Sequence, residues 1–269
     1  MSRELDIARK AAFAAADLIR DYHTEHSGLG IRYKGRHDLV TKADVTSEEI
    51  ILSYIKDAFP DDEILAEEST GEETLTDKRT WIVDPIDGTT NFAHQFPLFC
   101  VSIALFENKK AQMGLVYEVN QGEMFTAERG EGAWLNGKQV NVSDIDQPDE
   151  ALFGTGFPYR DLELIDDYLQ LFKVFMEETQ GVRRPGTAAY DLCCVAAGRF
   201  DGFYEYSLAP WDVAAASLIV QEAGGVVTDW ENDQKWLFGK RIIAANPNMH
   251  TYILNKIHGT IPAEYRRSK

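Results

Sequence analysis

The ten residues from Trp81 to Thr90, WIVDPIDGTT, constrain this chain more than any other stretch. The apolar run Trp81-Ile82-Val83 predicts a buried strand that stops at Asp84, because Pro85 has no N–H with which to continue a ladder. The chain then offers two carboxylates, Asp84 and Asp87. Gly88 allows close backbone approach, and Thr89 and Thr90 add hydroxyls. Such oxygen donors, with no His or Cys beside them, suit Mg2+ or Ca2+ rather than Zn2+. A Gly-Thr-Thr turn opening into a helix would also aim backbone N–H groups at an anion. Taken alone, the same residues read more often as a solvated turn, and partners elsewhere in the chain reverse that reading.

Charge sharpens the question. Lys and Arg number 27 against 44 Asp and Glu, a net charge of −17, which argues against nucleic acid as a partner. An acidic protein that binds a phosphate ester must reverse its local field, and divalent cations do that directly. No apolar run approaches the roughly 20 residues of a membrane helix, and MSRELDIARK lacks a signal-peptide core, so a soluble cytoplasmic protein is expected. Cys100, Cys193 and Cys194 have no metal-type spacing and read as buried thiols.

Along the chain, helical periodicity runs from Ser2 to about His23, followed by a Gly28–Gly35 connector that is either a short hairpin or a loop exposing Lys34. Thr46-Ser47-Glu48-Glu49 forms a capping box for a helix that Pro60 ends, with Asp44 just before it as either a further cap or a functional carboxylate. Glu63 to Ala66 is a short strand with Glu67 at its end. Leu98–Phe106, Ala111–Val119 and Glu123–Glu128 form an antiparallel meander, and Asn136-Gly137 marks a tight turn. A polar stretch from Ser143 to Glu150 divides an N-terminal α+β lobe, residues 1–147, from a C-terminal α/β lobe, residues 148–269. The second lobe opens with Ala151–Gly156. It has helices at Leu162–Glu178, at Ala188–Ala197 and from Pro210 to about Ala223, the last ending at Gly224-Gly225. Strands are expected at Gly202–Tyr206, Val226–Thr228 and Ile242–Ala245, and a final helix follows Pro247.

Glu67-Glu68-Ser69, then the run from Trp81 to Asn91, then Trp211-Asp212-Val213-Ala214-Ala215 before Gly224-Gly225 resemble, in order and spacing, the inositol monophosphatase family of Mg2+-dependent, lithium-sensitive phosphatases, in its bacterial form. The resemblance spans most of the chain. It implies an α/β (α+β) fold, a layered αβαβα sandwich of the inositol monophosphatase and fructose-1,6-bisphosphatase type, and a homodimer. It also implies two or three Mg2+ ions. Asp84 would bridge two of them, with Glu67 and the Ile86 carbonyl on the first and Asp87 and Asp212 on the second; a third, weaker ion would lie near Glu67. Thr89 and Asp44 would orient the attacking water with Glu67, and Gly88 and Thr89 N–H groups would receive the phosphate. Asp87, Gly186, Thr187, Ala188 and Glu205 match the substrate contacts. Glu205 is otherwise a strand residue facing water. Arg183-Arg184 and Phe157-Pro158-Tyr159-Arg160 remain either surface or a grip on an anion.

The activity implied is hydrolysis of a phosphate monoester, foremost inositol 1-phosphate, by metal-activated water. NADP(H) 2'-phosphatase or broad sugar phosphatase activity, fructose 1,6-bisphosphate included, is the alternative within the same resemblance. A binding or regulatory protein that has lost catalysis is the reading from another class.

Overall fold

The computed structural model describes residues 1–25, 30–35, 38–69, 74–159 and 161–267. In chain order the elements are α1 (Arg3–Glu25), β1 (Arg32–Gly35), β2 (Asp38–Val40), α2 (Lys42–Ala58), β3 (Glu63–Ala66), β4 (Thr80–Asp87), α3 (Thr89–Ala93), β5 (Cys100–Glu107), β6 (Lys110–Glu118), β7 (Glu123–Glu128), β8 (Ala133–Leu135) and β9 (Lys138–Val140). After one 3-10 turn at Pro148–Glu150 come β10 (Leu152–Thr155), α4 (Ile165–Glu178), β11 (Gly181–Arg183), α5 (Ala188–Ala196), β12 (Gly202–Tyr206), α6 (Pro210–Glu222), β13 (Val226–Thr228), β14 (Arg241–Ala245), α7 (Pro247–Thr260) and α8 (Ala263–Arg266).

Two sheets carry the fold. The larger runs β3-β4-β5-β6-β7-β8-β9, with β3 and β4 parallel and every later pair antiparallel; the smaller runs β11-β10-β12-β14-β13. Alternation along the strands sorts side chains into layers. Trp81 and Val83 of β4 face α1 and α2, whereas Ile82 faces α5 and α6 between the sheets. In β12, Phe203 points into that middle layer and Tyr204 and Tyr206 point outward to α4 and α7. The result is the expected αβαβα sandwich. With both faces covered, all eight residues of β4 are buried, which explains its unbroken apolar run.

The hairpin turns follow their residues: Asn108 and Lys109 have φ of 51° and 59°, and Asn136 and Gly137 have 48° and 78°, the left-handed pairs that suit the twist of flanking strands. Close approach has its own glycine. A β-carbon on Gly114 of β6 would run into the Ala215 carbonyl of α6, so only a bare backbone lets that helix lie on the sheet.

Several boundaries differ from expectation. α2 begins at Lys42, capped by Thr41, so Thr46 to Glu49 lie inside the helix and Asp44 occupies its first turn. β4 does not stop at Asp84 but continues through Pro85 to Asp87 across an irregular stretch. α4 starts at Ile165 rather than Leu162, and the short strand β11 and helix α8 carried no periodic signal. The connector before α2 contains the hairpin β1-β2. Gly28 and Arg160, and the side chain of Lys34, lie outside the described residues.

Candidate active site

The irregularity in β4 creates the acidic centre. Asp84 pairs with Ser102 and Asp87 with Cys100, so Pro85 and Ile86 oppose the single residue Val101. In a regular strand residues three apart point to opposite faces; this bulge brings both carboxylates to one end of the strand. Asp84 Oδ1 accepts the Ile86 N–H at 3.0 Å, which fixes the bend. Gly88 follows with φ of 96°, and α3 starts at Thr89.

Two helices point their first turns at this strand end. On α6, Asp212 Oδ2 accepts the N–H of Ala209 at 2.7 Å. Asp84, Asp87 and Asp212 offer carboxylate oxygens that all lie within 4.8 Å of one another. On α2, Asp44 is fully buried; its Oδ2 accepts the Thr41 N–H at 2.7 Å and its Oδ1 accepts the Thr89 hydroxyl at 3.1 Å. The same hydroxyl lies 3.0 Å from the Ile86 carbonyl, whose second lone pair is left for another partner.

Electrostatics mark the cluster. Burial, then the like charges of Glu67, Asp87, Asp212 and Asp44, push Asp84 well above the usual carboxylate range. Burial raises Asp87 to about 6 against the bonds it accepts, and raises Asp44 to about 6. No cation stands among the charges that dominate Asp84. An all-oxygen donor set that repels itself is the chemistry a hard divalent cation resolves. These residues therefore fit such an ion.

The acids lie at one side of a cavity of about 580 Å³. Glu67, Asp84, Ile86, Asp87, Gly88, Thr89, Gly186, Thr187, Ala188, Glu205 and Asp212 all line it; Asp44 reaches it through Thr89. Across from β4, the start of α5 is tied to the acids. The Ala189 N–H bonds Asp87 Oδ2 at 2.7 Å, while Thr187 Oγ1 caps the helix through the Tyr190 N–H at 3.2 Å. Glu205 is 8% exposed, not the solvent-facing strand residue of the structural alternative, and burial raises it to about 8. Its carboxyl occupies the space a side chain at Gly156 would fill. Arg184 lines the cavity with its guanidinium 5.3 Å from the Tyr159 ring centre, whereas Arg183 is exposed and bonds the Val182 carbonyl.

Sequence reasoning missed Thr41, Gly156 and Asp191. Thr41-x-x-Asp44 is itself a capping-box pattern and was there to be found. Asp191, 1% exposed on α5, lines the cavity with Oδ1 unbonded, and no sequence pattern distinguishes it from a helix-face residue. A second cavity of about 790 Å³, between the start of α1 and β7-β8, contains none of the candidate residues. No helix among the described residues is long and apolar enough to cross a membrane.

Residues 1–261 match the sequence pattern of the inositol monophosphatase family. A protein named Putative Nus factor SuhB from Neisseria meningitidis is 41% identical over 257 residues, covering 96% of this chain and 98% of that protein. An inositol monophosphatase from Dictyostelium discoideum is 42% identical over 244 residues, covering 89% and 88%. Among solved structures, the extragenic suppressor protein suhB of Bartonella henselae superposes with a TM-score of 0.92 at 39% identity, covering 97% of this chain and all of that one. Whole-length similarity, the five-layer sandwich and the acid-lined strand end agree, and the chain belongs to the inositol monophosphatase family.

Proposed function

We propose that the chain hydrolyses phosphate monoesters, inositol 1-phosphate foremost, with Mg2+ held by Asp84, Asp87, Asp212, Glu67 and the Ile86 carbonyl. The observation that carries this reading is the group of three carboxylates converging within 4.8 Å at the edge of the cavity. Bound Mg2+, in two or three ions, would neutralise charge on the phosphoryl and leaving oxygens and favour ionisation of a water.

The chain's own residues supply the rest. The Gly88 and Thr89 N–H groups hold the phosphoryl oxygens. When the Thr89 hydroxyl donates to Asp44, its lone pairs accept from a water and orient that water's oxygen toward phosphorus. Asp44, the carboxylate that the Thr89 hydroxyl meets, takes the proton passed through Thr89. Water oxygen bonds phosphorus as the ester P–O bond breaks, the departing alkoxide takes a proton from a solvent water, and Asp44 returns its proton to solvent. Gly186, Thr187, Ala188 and Glu205 hold the alcohol, Glu205 through its ring hydroxyls.

Phosphate release from inositol 1-phosphate, NADP and fructose 1,6-bisphosphate, with Mg2+ and with chelator, tests the activity and ranks the substrates. Release from inositol 1-phosphate alone supports the inositol-specific reading; equal release from NADP replaces it with the broader one. Asp84→Asn should abolish turnover, and a native rate in chelator would remove the mechanism. A second reading has its own observation, the name Nus factor carried by several relatives. By that reading the chain acts without catalysis, and a chain inactive on every ester in Mg2+ would favour it.

A further inference from the structure

The first half of α2 is polar in sequence yet packed inside: Asp44, Ser47 and Glu48 are all buried, Glu48 at 3% exposure. Asp44 and Glu48 stand four residues apart and share one face of the helix. A carboxylate buried this far is costly unless something bonds it. Glu48 Oε2 accepts the backbone N–H of Glu68 at 2.8 Å, across twenty residues of chain. Glu67 is the residue before that N–H, and its own N–H bonds the Val83 carbonyl of β4 at 3.2 Å. The turn that carries Glu67 out of β3 is therefore held on one side by β4 and on the other by a side chain of α2.

We infer that Glu48 is a positioning residue for Glu67: its bond to the Glu68 N–H sets the turn that aims the Glu67 carboxylate at the Asp84 end of the cavity. This rests on the proposed role of Glu67 as a metal ligand. One rigid helix thereby references two parts of the site, since Asp44 holds Thr89 and Glu48 holds the Glu67 turn four residues later. Outer groups that orient ligands typically alter metal affinity by about 10–100-fold when removed.

Binding of Mn2+ alone, read by electron paramagnetic resonance with melting temperatures alongside, tests this without requiring turnover. Glu48→Ala and Glu48→Asp, the second keeping charge but withdrawing the acceptor by one carbon, should weaken Mn2+ about 10–100-fold. Glu48→Gln retains an oxygen acceptor and should bind within about threefold of the native chain. If the alanine variant does not fold, the aspartate variant carries the comparison. Native-like Mn2+ affinity in the folded variants lacking the bond overturns the inference, as does equal weakening in Glu48→Gln. Native Mn2+ binding without ester hydrolysis defeats the proposed activity alone, whereas failure of the native chain to bind Mn2+ defeats both.

Discussion

α2 and α6 arrive at the same strand end by the same local device and use it differently. Each places an aspartate in its first turn, Asp44 and Asp212, and each aspartate gives one oxygen to the backbone N–H three residues earlier, at 2.7 Å in both. At α2 the cap is doubled: Thr41 Oγ1 also accepts the Ala43 N–H at 3.1 Å. Ala209 has no such oxygen, so at α6 the carboxylate is the side-chain cap. Asp44 is sealed from solvent and faces a hydroxyl; Asp212 is half-buried and faces two more carboxylates. Capping a helix and a place in the proposed site are thus not alternatives at either helix. One oxygen of each serves the helix end, while Asp44 turns its other oxygen to the Thr89 hydroxyl and Asp212 joins the acidic cluster.

The sharpest test of that contrast is Asp212→Asn, which keeps a capping oxygen but removes charge. Turnover should fall by about 10³-fold or more and Mn2+ affinity with it, while melting stays within about 2 °C. Asp44→Asn should cost about 10²-fold or more in turnover and leave Mn2+ affinity unchanged; parallel losses of affinity in both variants would break the comparison.

Next in size is a pH effect tied to the α6 side. Asp212 and Asp87 add to the burial that holds Glu205 at about 8, while Arg184 pulls it down. The folded chain keeps a proton on Glu205 that the unfolded chain loses near 4.5, so the contribution of Glu205 to stability is fully present below that pH and is lost as pH rises toward 8. Metal-free Glu205→Gln should lack this decline, on the order of 5 °C in Tm between pH 4.5 and 8. Asp212→Asn should flatten it in part and Asp44→Asn should not. Smallest is Thr41→Val, which removes the second cap of α2 and the hydroxyl that donates to Asp44 Oδ2 at 2.6 Å, and should lower Tm by about 2–4 °C with kcat reduced less than in Asp44→Asn.

The sequence showed best where burial follows periodicity. β12 and β13 have their expected bounds, and α6 starts where Pro210 places it. It misled where polar residues are buried for the sake of the cavity: the first turns of α2 carry no apolar stripe, so the start slid to the capping box nearest the apolar run. At β4 the proline rule was sound for a regular ladder and failed at a bulge, which tolerates a missing N–H. Of the candidate site, the cluster at 84 and 87 was legible because four residues span it. Nothing in spacing could bring 44, 205 or 212 to it, and those positions came from the family pattern. Glu48 and Asp191 had neither signal.

Gly114 sits two strands from Asp84 and meets no part of the cavity, yet its bare backbone is the seat on which α6 rests, less than one turn beyond Asp212. Adding a single methyl there would wedge the helix away from the sheet and carry the third carboxylate with it. Tolerance to substitution in this chain is therefore narrow at an inert position as well as among the acids, because the reach of a carboxylate depends on how deeply its helix is allowed to settle.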